Sequence, residues 1–295
     1  MSHLRLWLVA ARPRTLPAAI APVLVGTALA GAEDVFKPLR FAAALVGSIF
    51  IQIGTNLAND YSDARRGADT EDRLGPVRVT AGGLMPPRRV LVGTWVAFGI
   101  AVAAGAYLAA VAGWELLVVG VLSIAAGVLY TGGPRPYGYA GLGEVFVFVF
   151  FGLVAVGGSY FVQTEDLRWE AVALGVPVGL LAAAILVVNN VRDIETDRRA
   201  GKRTLAVRLG RERAVRVFTA MLALAYAALP VIWWLSDDLD AWLLVPFLSL
   251  PLAPPLTRTL STHRDGPALN RLLADTGRVL AVFSVLLAAG LLMSS

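Results

Sequence analysis

Nine stretches of this 295-residue chain contain no Asp, Glu, Lys or Arg: 15–32, 41–59, 90–113, 116–134, 145–164, 171–191, 217–236, 241–257 and 279–295. Each is 17 to 24 residues long. A helix rising about 1.5 Å per residue needs roughly 20 residues to cross a hydrocarbon core about 30 Å thick. The spacing predicts an all-α, polytopic membrane protein with nine transmembrane helices, a single integral membrane domain over residues 1–295. With 57% hydrophobic and only 16% charged residues and a mean hydropathy of +0.68, the chain is too apolar for an ordinary water-soluble enzyme. The absence of cysteine excludes disulfides, thiolate metal sites and cysteine nucleophiles. The two histidines, His3 and His263, stand alone, which argues against histidine-dependent catalysis.

The net charge of +5 has to be read loop by loop, as topology and not as a nucleic-acid footprint. With the amino terminus and every second loop assigned to one side, that side holds 23 of the 26 basic residues. The other side keeps Lys37, Arg40 and Arg168. Basic loops resist translocation, so the amino terminus is expected inside and the carboxy terminus outside. The first apolar stretch ends in Ala28-Leu29-Ala30, the small-residue pattern of a signal-peptidase site. The basic region reaching Arg14, the prolines at 17 and 22 and eight further spans favour a retained helix.

Dense charge is confined to two long cytoplasmic connections, Asp60 to Arg89 after the second span and Arg192 to Arg216 after the sixth. Both spans carry polar groups into their last turns. In the second, Asn56, Asn59, Asp60 and Asp63 follow the i, i+3, i+4, i+7 rule of one helical face. In the sixth, Asn189, Asp193 and Asp197 share a face. A shift of 130 positions lays Asn59 and Asp63 on Asn189 and Asp193, consistent with two four-helix repeats plus a ninth helix; a shift of 133 lays Asn56 and Asp60 on the same pair equally well.

Carboxylates and carboxamides on two facing helices offer hard oxygen ligands suited to magnesium, which takes one or two carboxylates together with substrate phosphate and waters. Arg65, Arg66, Arg73 and Arg78 after the second span, and Arg198, Arg199, Lys202 and Arg203 after the sixth, suit phosphate oxygens. A diphosphate held through a metal is the chemistry this arrangement points to, since ionisable groups at a membrane helix end are costly and usually line a site. An ion transporter is the alternative, although its carboxylates more often stand at mid-helix. A CDP-alcohol phosphotransferase would need Asp-Gly and Ala-Arg elements in one acidic string, and neither string has them.

At these residues the chain resembles the UbiA superfamily of intramembrane prenyltransferases, and the resemblance covers nearly its whole length. The matching strings are RPRTLPAAIAPVLVGTA from Arg12, NLANDYSDARRGADTEDRLGPVRVTAGGL from Asn56, YTGGPRPYGYAGLGEVFVFVFFG from Tyr130 and NNVRDIETDRRAGKRTLAVRLG from Asn189. It looks most like the MenA branch, the 1,4-dihydroxy-2-naphthoate polyprenyltransferases of menaquinone biosynthesis. The general pattern often has an Asp four residues after Asp63, where this chain has Gly67 and then Asp69. That departure is typical of the MenA branch and leaves Asp69 as either a metal ligand or a loop residue.

The resemblance implies a UbiA-like bundle in a bacterial cytoplasmic membrane, with the active site on the cytoplasmic side. It implies Mg2+ held by Asn59, Asp63, Asp69, Asn189, Asp193 and Asp197, with catalytic weight on Asp63, Asp193 and Tyr130. Asn56, Asp60, Arg66, Arg78, Thr131 and Lys202 are the implied substrate contacts. The implied partners are a polyprenyl diphosphate and 1,4-dihydroxy-2-naphthoate within membrane lipid, with no nucleic acid. Homogentisate, 4-hydroxybenzoate or a porphyrin would be the acceptor of a sister enzyme with the same two motifs.

Overall fold

The computed structural model describes residues 2–68 and 74–294, and among these no strand occurs. A short α1 (His3–Ala11) ends at Arg12, whose φ of 53° breaks the helix before Pro13, and α2 (Leu16–Ala32) follows. Next come α3 (Pro38–Arg65), α4 (Pro87–Ala112) and α5 (Glu115–Leu129). Proline in the first turns of α2, α3 and α4 sets φ where no intrahelical N–H partner exists. The span Gly143–Thr164 is made of α6 (Gly143–Val147), a π-helical turn (Phe148–Val154) and α7 (Ala155–Thr164). Then follow α8 (Trp169–Arg192), the short α9 (Ile194–Arg199) and α10 (Leu205–Leu209), α11 (Arg211–Leu235), α12 (Ala253–Thr262) and α13 (Gly266–Met293).

Among the described residues eight helices are long and apolar enough to cross a membrane. The fourth apolar stretch is the exception: α5 has 15 residues, roughly 22 Å by helical rise. The expected stretch ran on to Pro134, but the helix stops at Leu129, ahead of Gly132, Gly133 (φ 72°) and Pro134. Ala241–Leu252 is a 3-10 helix leading into α12, because Pro246 and Pro251 remove amide donors from its interior.

In lipid, close packing has to hold the bundle, and small residues supply it. A Cβ on Gly152 of the π turn would stand 2.7 Å from the Gly179 Cα of α8, and one on Gly175 2.8 Å from the Leu153 Cα. α8 is therefore pressed against the π turn, and it also packs on α11 and α13 around buried Leu181, Phe218, Leu229 and Phe283. α13 closes against α2, α2 against α7, and α3 against α4. At 28 residues α3 is about 42 Å long, more than a hydrocarbon core of about 30 Å requires, and its last turns run from Asn56 to Arg65. Those turns carry Asn56, Asn59, Asp60 and Asp63, all buried in protein.

Candidate active site

The ends of α3 and α8 both line the mouth of a cavity of about 410 Å³. Asn59, Asp63, Arg78, Asp193, Asp197 and Lys202 line its polar end. Residues of α4, α5 and the 143–164 span, among them Leu108, Val121, Phe150 and Val154, carry it on as an apolar chamber. One hollow thus offers charge at one end and hydrocarbon at the other.

At the α3 end, Asp63 is 2% exposed and held from several directions. Its Oδ1 accepts the Tyr139 hydroxyl at 2.8 Å, its Oδ2 the Lys202 ammonium at 2.9 Å, and Arg78 stands 3.8 Å away. The loop after α9 makes this possible. Gly201 takes φ 73°, a left-handed turn that favours glycine, Lys202 N–H donates to the Asp197 carbonyl, and Arg203 N–H donates to the Tyr139 carbonyl at 3.0 Å. Lys202 also sits 4.9 Å from the centre of the Tyr139 ring. Thr131, just past α5, donates to Asn59 Oδ1 at 2.9 Å, and Asn56 donates to the Ala11 carbonyl and Thr15, tying the α1–α2 junction to α3.

At the α8 end, Arg192 makes a two-pronged pair with its neighbour Asp193 (Nε to Oδ1 2.8 Å, NH2 to Oδ2 2.6 Å). The same guanidinium donates to Asn189 Oδ1 and to Asn270 Oδ1 on α13, each at 2.8 Å. Arg192 is one of the densely charged loop residues in the sequence, yet here it is buried and orients two of the residues singled out beside it. Asp197, one turn further on, lines the same cavity.

Aromatic rings follow behind the polar mouth. Tyr130 meets Tyr137 edge-on with centroids 5.5 Å apart, and Tyr137 stacks on Phe146 at 3.9 Å and 18°. Tyr137, between two spans, has its phenol pushed up by burial and donates to the Ala126 carbonyl at 2.9 Å, so it is a neutral wall. The Tyr130 ring is clamped by Gly138 and Gly143, where a Cβ would come within 2.8 Å and 3.1 Å of it.

The structure brings Asn56, Asn59, Asp63, Arg78, Tyr130, Thr131, Asn189, Asp193, Asp197 and Lys202 to one cavity wall. Two expected substrate contacts lie elsewhere. Asp60 does not line the cavity: its oxygens accept the Val79 and Thr80 amides at 3.1 and 2.9 Å, which fixes the loop that carries Arg78. Arg66 donates to the Gly133 carbonyl and lies over the Tyr139 ring, behind the lining residues. Asp69 and Arg73 lie outside the described residues. Arg192, Tyr139 and Glu144 are the groups that sequence spacing does not single out.

Among the described residues no three acidic or histidine side chains stand close enough to grip a cation by themselves. Magnesium does not require that, since one or two carboxylates plus substrate phosphate suffice. The all-oxygen donor set of Asp63, Asp193, Asp197, Asn59 and Asn189 fits such an ion arriving with a diphosphate.

The UbiA prenyltransferase family model matches residues 19–274. The chain is 41% identical to the 1,4-dihydroxy-2-naphthoate octaprenyltransferase of Mycobacterium tuberculosis, over 99% of this chain and 98% of that one. It is 40% identical to the enzyme of the same name from Mycobacterium leprae, over 100% and 98%. In fold it resembles a UbiA homologue from Archaeoglobus fulgidus bound to GPP and Mg2+, with a TM-score of 0.71 at 15% identity over 98% of this chain and 99% of that one. A match over most of the length, together with two acid-and-amide helix ends at one cavity mouth, leads to one conclusion: the chain belongs to the UbiA prenyltransferase family.

Proposed function

We propose that this chain transfers a polyprenyl group from a polyprenyl diphosphate to 1,4-dihydroxy-2-naphthoate, with loss of carbon dioxide and diphosphate, to give demethylmenaquinol in menaquinone biosynthesis. The observation that carries the reading is the single cavity that joins a cationic, carboxylate-lined mouth to an aromatic and then apolar chamber, in a chain 41% identical to a 1,4-dihydroxy-2-naphthoate octaprenyltransferase.

Asp63, Asp193 and Asp197 would hold Mg2+, with Asn59 and Asn189 assisting and Asp69 a further candidate. Bound magnesium supplies positive charge to the leaving diphosphate. Lys202 and Arg78 bind the diphosphate oxygens, a step in which Lys202 exchanges Asp63 for phosphate. Arg192 keeps Asp193 and Asn189 in place throughout. Tyr130, Tyr137 and Phe146 present π faces to the allylic cation and keep water from it. The acceptor ring, made electron-rich by its hydroxyls, attacks the cation through the carbon bearing the carboxylate, and loss of carbon dioxide restores aromaticity. The prenyl tail occupies the apolar chamber, and the product leaves into lipid.

In this reading α5 counts as a ninth crossing, and the chain is a single membrane domain of two four-helix repeats plus a last helix in a bacterial cytoplasmic membrane. The site and the amino terminus face the cytoplasm. Charge supports the orientation: Lys37 and Arg40, at the end of α3 away from the site, pair with Glu165, while Arg168 pairs with Glu33. Glu165 is held below the usual carboxylate range by the hydrogen bonds from Lys37 and Arg40 and by their charge.

The test is turnover in liposomes with 1,4-dihydroxy-2-naphthoate, a polyprenyl diphosphate and magnesium, followed by mass spectrometry. The prenylated, decarboxylated quinol, or the quinone that air oxidation makes of it, is expected, and it is lost on chelation. Turnover with 4-hydroxybenzoate or homogentisate in its place would refute the naphthoate assignment, and ion flux with no turnover would refute the enzyme.

A further inference from the structure

One buried carboxylate just behind the cavity lining has no part in the diphosphate chemistry above. Glu144 opens the span 143–164 and is 3% exposed. Its Oε1 accepts Asn190 Nδ2 at 2.8 Å, and its Oε2 has no partner among the described residues. A membrane segment keeps such a group at a cost in stability, and ionisable residues there usually serve a working site.

The bond to Glu144 fixes the carboxamide of Asn190. A carboxylate oxygen only accepts, so the amide nitrogen faces Glu144 and the carbonyl oxygen turns away. Asn190 lines the cavity, and among the described residues no hydrogen bond occupies its side-chain carbonyl, which is not sealed off from the cavity. Its chain neighbour Asn189 gives its own carbonyl to Arg192. The two adjacent asparagines are thus assigned to different partners, one to the acidic mouth and one to the chamber.

Flat, apolar surface adjoins Asn190. A Cβ on Gly143, next to Glu144, would be 3.1 Å from the Tyr130 ring and 3.6 Å from its hydroxyl, so Tyr130 abuts the same corner. Tyr137 and Phe146 extend it as a stacked pair. Of the other carboxamides at the mouth, Asn59 gives its carbonyl to Thr131, while Asn56, on α3 at the α1–α2 junction, is turned by its amide donating to Ala11 and Thr15.

We propose that the carbonyl of Asn190 accepts a hydrogen bond from a ring hydroxyl of the aromatic acceptor, which lies along the Tyr130, Tyr137 and Phe146 wall, and that Glu144 is the positioning residue behind it. The assignment rests on the prenyl-transfer reading and goes beyond it by naming the acceptor contact. A phenolic donor facing a pre-oriented carbonyl beside an aromatic wall suits a hydroxylated aromatic ring and not the isoprenyl chain.

The experiment compares KM for 1,4-dihydroxy-2-naphthoate and KM for the polyprenyl diphosphate in the full chain and in Asn190→Ala, Glu144→Gln and Glu144→Ala, with thermal melting as a check on folding. Losing one oriented hydrogen bond should raise the acceptor KM about tenfold in Asn190→Ala and leave the diphosphate KM within about twofold. Glu144→Ala should resemble it, and Glu144→Gln, which still offers a carbonyl to the amide, should recover part of the loss. An acceptor KM unchanged in Asn190→Ala, or both KM values moving together, overturns the assignment. If the parent chain turns over a different hydroxylated acceptor, the naphthoate reading fails, and the same KM split measured with that acceptor still decides this one.

Discussion

The two helix ends at the cavity mouth carry the same Asn and Asp four residues apart, Asn59 with Asp63 and Asn189 with Asp193, yet they hold their aspartates differently. Asp63 is gripped by groups remote in sequence, Tyr139 and Lys202, delivered by two loops that clasp each other through Arg203 and Tyr139. Asp193 is gripped by the adjacent Arg192, itself braced on Asn270, whose side-chain amide donates to the Leu74 carbonyl at 3.0 Å. The first end is completed only when the tertiary fold docks the loop after α9, whereas the second is largely oriented by its own turn. Equal spacing therefore does not mean equal surroundings: the α3 carboxylate rests on an ammonium brought from another loop, and the α8 carboxylate on the guanidinium of its own neighbour.

The comparison is broken most severely by neutralising either aspartate. Asp63→Asn and Asp193→Asn should each lower turnover by about 10²–10³-fold while the protein still inserts and melts cooperatively, because a group facing developing charge is lost. Steady-state assay of the variants in liposomes checks this. Arg192→Leu should cost about 10–100-fold, as loss of an orienting partner does, and Arg192→Lys should recover only part, since an ammonium cannot reproduce the two-pronged grip. If Arg192→Leu turned over normally, the contrast between the two ends would have no functional content. Lys202→Met should raise the diphosphate KM about tenfold, the equivalent of one lost charge-assisted contact, with little change in the acceptor KM. Asp60→Ala should act mainly on stability, leaving the Val79 and Thr80 amides without their acceptor at a cost of about 1–3 kcal/mol, read as a lower melting temperature.

Much of the arrangement was legible because membrane crossing imposes a length and helical faces impose a period. The uncharged stretches predict most of the helices, and the i, i+3, i+4, i+7 spacing marks Asn56, Asn59, Asp60 and Asp63 as one stripe. Spacing alone cannot say which edge of a stripe faces inward, so Asp60 reads like Asp63 although it turns to the Val79–Thr80 loop. Arg192 reads as topology charge because its burial depends on Asn270, 78 residues away. Glu144 sits where an uncharged stretch begins and so reads as a boundary, although an acid beside eighteen or more apolar residues is itself a signal. The π turn at Phe148–Val154 has no period that would reveal it, since it follows from packing against Gly175 and Gly179, whereas the Gly132-Gly133-Pro134 stop marks the end of α5 within about two residues.

In the proposed mechanism both helix ends grip one diphosphate. Equilibrium binding of a radiolabelled polyprenyl diphosphate to the purified protein, with and without magnesium, tests it in the parent chain, Asp63→Asn and Asp193→Asn. Saturable, magnesium-dependent binding in the parent that collapses in each variant is the predicted result. Binding that survives chelation, or that either variant retains at full strength, would contradict a shared site.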